Sequence, residues 1–87
     1  MNANDDTLKL TSFIRARLIP AELKETFDET SPLLELGVLD SLSTAVLLGF
    51  IRRELGVTVP AEHIDPANFT DVRSVAAMLR RIAGPPG

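Results

Sequence analysis

Three stretches of this 87-residue chain carry apolar residues at spacings of three and four, and each is stopped by proline or glycine. That period is helical, and a small all-α bundle is the fold that buries all three apolar stripes at once. In the first stretch, LKLTSFIRARLI, the stripe is Leu10, Phe13, Ile14, Ala16 and Leu18. Asn4, Asp5, Asp6 and Thr7 supply capping oxygens and negative charge at its start, Arg15 and Arg17 put positive charge in its last turns, and Pro20 ends or kinks it. The second stretch, SLSTAVLLGFIRRELG, takes Asp40 or Ser41 as its capping residue and Gly56 as its stop. Ala45, Leu47, Leu48, Ile51 and Leu55 can face a core, whereas Leu42, Val46 and Phe50 fall on or near another face. A helix apolar on two sides either buries both or offers one to a partner. The third, VRSVAAMLRRIAG, is capped by Thr70 or Asp71 and carries Val72, Val75, Ala76, Leu79 and Ile82 on one stripe. Arg80 and Arg81 complement its C-terminal dipole, and the closing Gly84-Pro85-Pro86-Gly87 is expected to fray.

The connections are less regular. From about Pro20 to Asp40 no period is visible, but Phe27, Leu33, Leu34, Leu36 and Val38 are spread through the segment. A loop this long in a small domain needs pinning by its own apolar side chains, with a short helical turn expected near Ala21–Thr26 or Pro32–Leu36. Val57, Thr58 and Val59 form an extended connection to Pro60, which suits the first position of a further short helix. AEHIDPANF reads as that short helix or turn, cut off by Pro66, with Phe13, Phe27, Phe69 and Met78 assigned to the core and His63 to the surface.

Composition removes whole classes of function. With Cys 0 there is neither disulfide nor thiolate chemistry, and with His 1 there is no multi-histidine metal site. A net charge of −3 and a pI near 5.0 argue against nucleic-acid binding. No apolar run approaches the roughly 20 residues of a membrane span, and MNANDDTLK lacks the basic and apolar regions of a secretory signal, so the expected location is the cytoplasm.

The informative string is Glu35-Leu36-Gly37-Val38-Leu39-Asp40-Ser41-Leu42. A serine nucleophile needs a base and an oxyanion hole, yet His63 lies in a different segment and no Gly-x-Ser-x-Gly elbow is present. What the string does offer is an exposed hydroxyl at a helix N-terminus, after an acidic residue and a glycine turn. The dipole and free N–H groups there favour a covalently attached phosphate, so Ser41 suits modification by another enzyme.

The segment LLELGVLDSLSTAVLLGFIRRELGVTVP resembles the core of acyl and peptidyl carrier proteins. In that family a Gly-x-x-Asp-Ser-Leu string opens the second helix of a four-helix bundle, and Gly37, Asp40, Ser41 and Leu42 match it residue by residue. The resemblance runs over nearly the whole chain, including Val59-Pro60 before the short third helix. It implies three main helices plus one short helix, and a single carrier domain over residues 1–87 with an ordered core of about 5–83. It also implies 4′-phosphopantetheine, taken from coenzyme A and esterified to Ser41, bearing acyl or aminoacyl groups as thioesters. Asp40 and Leu42 would be the motif neighbours of the modified serine, Asp40 assisting the transferase's magnesium site. No catalytic residue or resident metal is implied, because such a carrier is modified and loaded by other enzymes.

The sequence departs from fatty-acid-type carriers along the second helix, where their acidic positions hold Ser43, Val46, Arg52 and Arg53, with Glu54 the only acid. Two arginines in place of two acids change the local charge by about four units and oppose docking on a basic patch. The expected partner surface is Leu42, Val46 and Phe50, rimmed by Arg53. This points to a standalone carrier of specialised metabolism, in polyketide or nonribosomal peptide assembly, over a general fatty-acid carrier or an unmodified helical adaptor. The partners implied are a phosphopantetheinyl transferase, an adenylating enzyme or acyltransferase that loads cargo, and a downstream synthase or transferase. The carrier is expected to be a monomer that meets them transiently.

Overall fold

A computed structural model describes residues 3–83, with side chains from Asp6 onward. Its frame is three α-helices, α1 (Ala3–Arg17), α2 (Ser41–Phe50) and α3 (Val72–Ala83), with no strand among the described residues. The expected Gly84–Gly87 stop lies outside that range.

Helix α1 starts at Ala3, so Asp6 and Thr7 lie within its opening turns and not at a cap. Leu10 and Ile14, four residues apart, are fully buried, and Phe13 and Leu18 are half-buried beside them. Ala16, expected on the same stripe, is exposed because it falls two residues past Ile14, on the opposite side of a 3.6-residue turn. The Leu18 N–H donates to the Ile14 carbonyl at 2.8 Å, and Pro20 then ends the run for want of an N–H.

The 17–41 connection is held by its own side chains and by backbone bonds. A 3₁₀ turn at Ala21–Leu23 opens it. Phe27, Leu33, Val38 and Leu39 are buried, whereas Leu34 and Leu36, also expected to pin the loop, point outward at 42% and 40% exposure. Each buried side chain of this size contributes about 1.5–3 kcal/mol, which offsets the entropy of ordering the loop. The Arg15 guanidinium donates to the Phe27 carbonyl at 2.6 Å and lies 5.8 Å from the centre of the Phe27 ring. The Glu29 carbonyl accepts from the Arg73 N–H at 3.1 Å, and the Leu33 N–H donates to the Thr70 carbonyl at 2.8 Å. Arg73 is the second residue of α3, so this loop satisfies one of the N–H groups that a helix start leaves unpaired.

A single helical turn follows, with the Leu36 N–H on the Pro32 carbonyl at 3.0 Å. It ends in a Schellman pattern: Val38 N–H to Leu33 carbonyl at 2.9 Å and Gly37 N–H to Leu34 carbonyl at 3.2 Å, with Gly37 left-handed at φ 72. Helix α2 begins four residues after Gly37, at Ser41. It continues without a break into a π-helical turn, Ile51–Leu55, closed by Gly56 at φ 70. Leu47, Ile51 and Leu55, spaced by four, are its buried ridge; Leu48 is half-buried, and Ala45, expected inward, is exposed.

The expected short helix is instead two 3₁₀ turns, Ala61–His63 and Pro66–Phe69. Pro60 caps the first from outside and is not its first residue, and Pro66 opens the second turn where it was expected to end the element. The reason is local: Asp65 Oδ1 accepts the Ala67 N–H at 2.7 Å, restarting the chain with proline at a position needing no donor. Asn68 joins the two turns to α3, donating to the His63 carbonyl at 2.8 Å and accepting from Arg81 at 2.9 Å. Asp71 Oδ1 caps α3 through the Ser74 N–H at 2.8 Å. Val72, Val75, Ala76, Met78 and Leu79 fill its inner face, which packs chiefly against α1. No buried polar or charged residue interrupts the core of the described residues.

Candidate functional site

Ser41 is the first residue of α2, and its position follows from the residues before it. The Schellman turn at Gly37 reverses the chain, Val38 and Leu39 anchor it in the core, and Asp40 emerges extended at φ −124 and ψ −168. Asp40, not Ser41, is the N-cap: its Oδ1 accepts the Ser43 N–H at 2.8 Å, and its carbonyl accepts the Thr44 N–H at 2.9 Å. The Ser43 backbone N–H, chiefly, and the neighbouring groups of the first turn hold the Asp40 carboxyl below the ordinary aspartate range. Ser41 is thereby relieved of capping. It is exposed, and its hydroxyl has no hydrogen-bond partner among the described residues.

Around it the large exposed apolar side chains bracket the serine in sequence: Leu34 and Leu36 before it, Leu42 and Val46 after it, at 74% and 41% exposure for the last two. Leu34 and Leu36 were missed as surface residues because the loop has no period from which an outward face can be read. Leu42 and Val46, four residues apart, share one outward stripe of α2, and Arg53 is exposed in the π-helical turn that continues it. Phe50 turns from that stripe toward α1, where it stacks on Phe13 at 4.1 Å between ring centres and 18° between planes. Arg52 and Arg53 are exposed and unpaired among the described residues. His63 is half-buried on its own turn, with Nε2 3.9 Å from Glu62 Oε1. No group of three or more His, Asp or Glu among the described residues is arranged to hold a metal ion.

The arrangement presents an alcohol and does not activate it. No base is hydrogen-bonded to the Ser41 hydroxyl among the described residues. The same geometry fits a phosphodiester: the oxygen is accessible, and the N-terminal end of α2 favours negative charge. Such an arm, when bound, supplies a mobile thiol that holds an acyl group as a thioester.

Comparison with known proteins leads to the same chemistry. A family model described as "Phosphopantetheine attachment site" matches residues 14–82. The chain is 35% identical over 78 residues to a "Probable acyl carrier protein PigG" of Serratia sp. (strain ATCC 39006), covering 90% of this chain and 88% of that protein. It is also similar to a chain of a solved structure named "Crystal structure of FAD-dependent dehydrogenase", at a TM-score of 0.65 and 41% identity, covering 76% of this chain and 95% of the other. The family match embraces the loop, the Gly37 turn and all of α2, the parts that set up this unactivated serine, and so the chain belongs to the phosphopantetheine-attachment family of acyl carrier proteins, which are not enzymes themselves and which carry 4′-phosphopantetheine on a serine.

Proposed function

We propose that Ser41 is the serine that bears the phosphopantetheine, and that the protein carries a short acyl or aminoacyl thioester in the assembly of a specialised metabolite. The observation that carries this reading is the division of labour at the start of α2: Asp40 caps the helix, and the Ser41 hydroxyl stands exposed and unbonded. The carrier works as a tether, raising the effective concentration of its cargo at each partner's active site. Asp40 and Leu42 flank the modified oxygen, and the transferase reads them along with it. Leu42 and Val46, rimmed by Arg53, form the docking face, with Leu34 and Leu36 extending it. Phe50 supports that face from behind through its stack on Phe13.

Exposed Arg52 and Arg53 in the turn that continues α2 favour partners with an acidic or apolar patch over those that read an acidic helix, which supports a dedicated pathway. The likeness to the Serratia protein supports the carrier reading itself. Among the partners we place a flavin enzyme. The chain matched in the structure named for an FAD-dependent dehydrogenase is itself carrier-sized, since three quarters of this small chain covers nearly all of it. A thioester carbonyl acidifies the adjacent C–H. A flavin enzyme docked there would supply the base for that proton and the two-electron acceptor for the hydride of the next carbon, leaving the cargo desaturated. An adenylating enzyme or acyltransferase loads the arm, all in the cytoplasm, and no described helix is long and apolar enough to cross a membrane.

The test is the intact mass after incubation with coenzyme A, magnesium and a broad-specificity phosphopantetheinyl transferase. Wild type should gain one phosphopantetheine and Ser41→Ala none, while circular dichroism shows both folded. A wild type that stays unmodified with several transferases refutes the assignment.

A further inference from the structure

Helix α1 and the far end of α2 are separated by an open cavity of about 620 Å³. Leu8, Lys9, Ser12 and Phe13 form its α1 wall, and Phe50 with Glu54 of the π-helical turn form the other. The two phenylalanines, stacked and half-buried, tie the walls together. Leu8 stands beside them at 65% exposure, so the fold leaves a continuous apolar surface here in contact with water. Charge is divided between the walls, with the cation Lys9 on one and the acid Glu54 on the other. Both are exposed, and neither makes an ion pair among the described residues.

We infer that this face receives a second copy of the chain, in a weak two-fold dimer. A two-fold interface needs a patch that contains both members of every contact it makes. This one does. A two-fold axis standing over the cavity sets the α1 wall of one copy across from the α2 wall of the other. Lys9 of each copy then faces Glu54 of the other, and each Leu8 projects toward the other copy's Phe50. Bringing like walls together would oppose lysine to lysine and glutamate to glutamate, so the charges also select the register. Three apolar side chains make a small patch, which belongs with transient contacts below ~1,200 Å². The dimer therefore exchanges with monomer, the form expected from the sequence. Ser41, Leu42 and Val46 are not among the residues lining the cavity, so the modified end stays open in both copies. With one copy docked on an enzyme, the other waits beside it at a raised effective concentration. The inference does not depend on Ser41 being the attachment site.

The experiment follows the apo protein by sedimentation velocity and amide NMR over a concentration series reaching about 1 mM. Wild type should rise toward the dimer mass, with concentration-dependent shifts centred on Leu8, Lys9, Phe13, Phe50 and Glu54. Leu8→Gln should remain monomeric throughout while matching wild type in a thermal melt, as suits an exposed position. Lys9→Glu and Glu54→Lys should each weaken association roughly tenfold, because either change breaks two pairs at once. Their combination should restore wild-type association, a recovery that no loss of folding could produce. A wild type that stays monomeric, association that survives Leu8→Gln, or a double variant no tighter than the single ones overturns the inference. Growth past the dimer overturns the two-fold arrangement.

Discussion

Alanine at Gly37 and alanine at Gly49 should move stability in opposite directions, although each substitution adds the same single methyl. Neither position is crowded, for the added Cβ would meet nothing within 4 Å at either. What differs is the backbone. Gly37 is left-handed at φ 72, where it closes the turn through its bond to Leu34 and the Val38 bond to Leu33. An L-residue there costs roughly 1–2 kcal/mol, offset in part by about 0.4–1 kcal/mol from a stiffer unfolded chain. The net loss is about 1 kcal/mol, or a melting temperature lower by roughly 4–8 °C in a domain of this size. Gly49 sits inside α2 without a positive φ, so alanine there recovers the helix-propensity deficit of glycine, about 1 kcal/mol, and raises the melting temperature by a similar amount. Thermal melts of the apo proteins by circular dichroism check both. A Gly37→Ala variant that melts with wild type would refute the Schellman turn as the device that delivers Asp40 and Ser41. A Gly49→Ala variant that melts lower would refute the open space beside Gly49.

Three further outcomes follow from the same geometry. The Asp40 carboxyl is held below 3.8 in the fold, so it binds a proton less readily there than in the unfolded chain; its contribution is complete above that value and is lost as pH falls through the folded one. Asp40→Asn keeps a good cap and should match wild type in a neutral-pH melt while losing less melting temperature on acidification; an unchanged acid profile would remove Asp40 from the account. Arg15→Met retains the aliphatic stem but removes the bond to the Phe27 carbonyl and the ring contact, which should cost about 1–2 kcal/mol. Hydrogen exchange should then quicken at Phe27 and Leu33 before it does in α3. Leu42→Ala, at a residue 74% exposed, should leave the melt within about 0.5 kcal/mol of wild type while raising the KM of the phosphopantetheinyl transferase for the carrier; an unchanged KM would remove Leu42 from the docking face.

The helices were legible because their burial has a period. Leu10 with Ile14, Leu47 with Ile51 and Leu55, and Val72 with Val75, Ala76 and Leu79 each repeat at a helical interval, and all are buried. The long connection was legible only in part, since its anchors Phe27, Leu33 and Val38 are apolar whereas the bonds from Arg73 to Glu29 and from Leu33 to Thr70 are backbone to backbone and leave no trace in residue identity. Arg15 was legible only in part for a related reason: it does sit in the last turn of α1, as the dipole asks, but its use in clamping a loop twelve residues away depends on the tertiary path. The same limit applied at the site. Aspartate and serine are about equally good caps, so Asp40-Ser41 admits two registers of α2 that differ by one residue. In one of them Ser41 would be committed to the helix. The Gly37 turn and the buried Val38 and Leu39 choose the other, setting Asp40 on the Ser43 N–H and leaving the next hydroxyl with no structural task. A residue that the fold does not need is one that another protein can modify without cost to the fold, and that freedom is what a reusable attachment point requires.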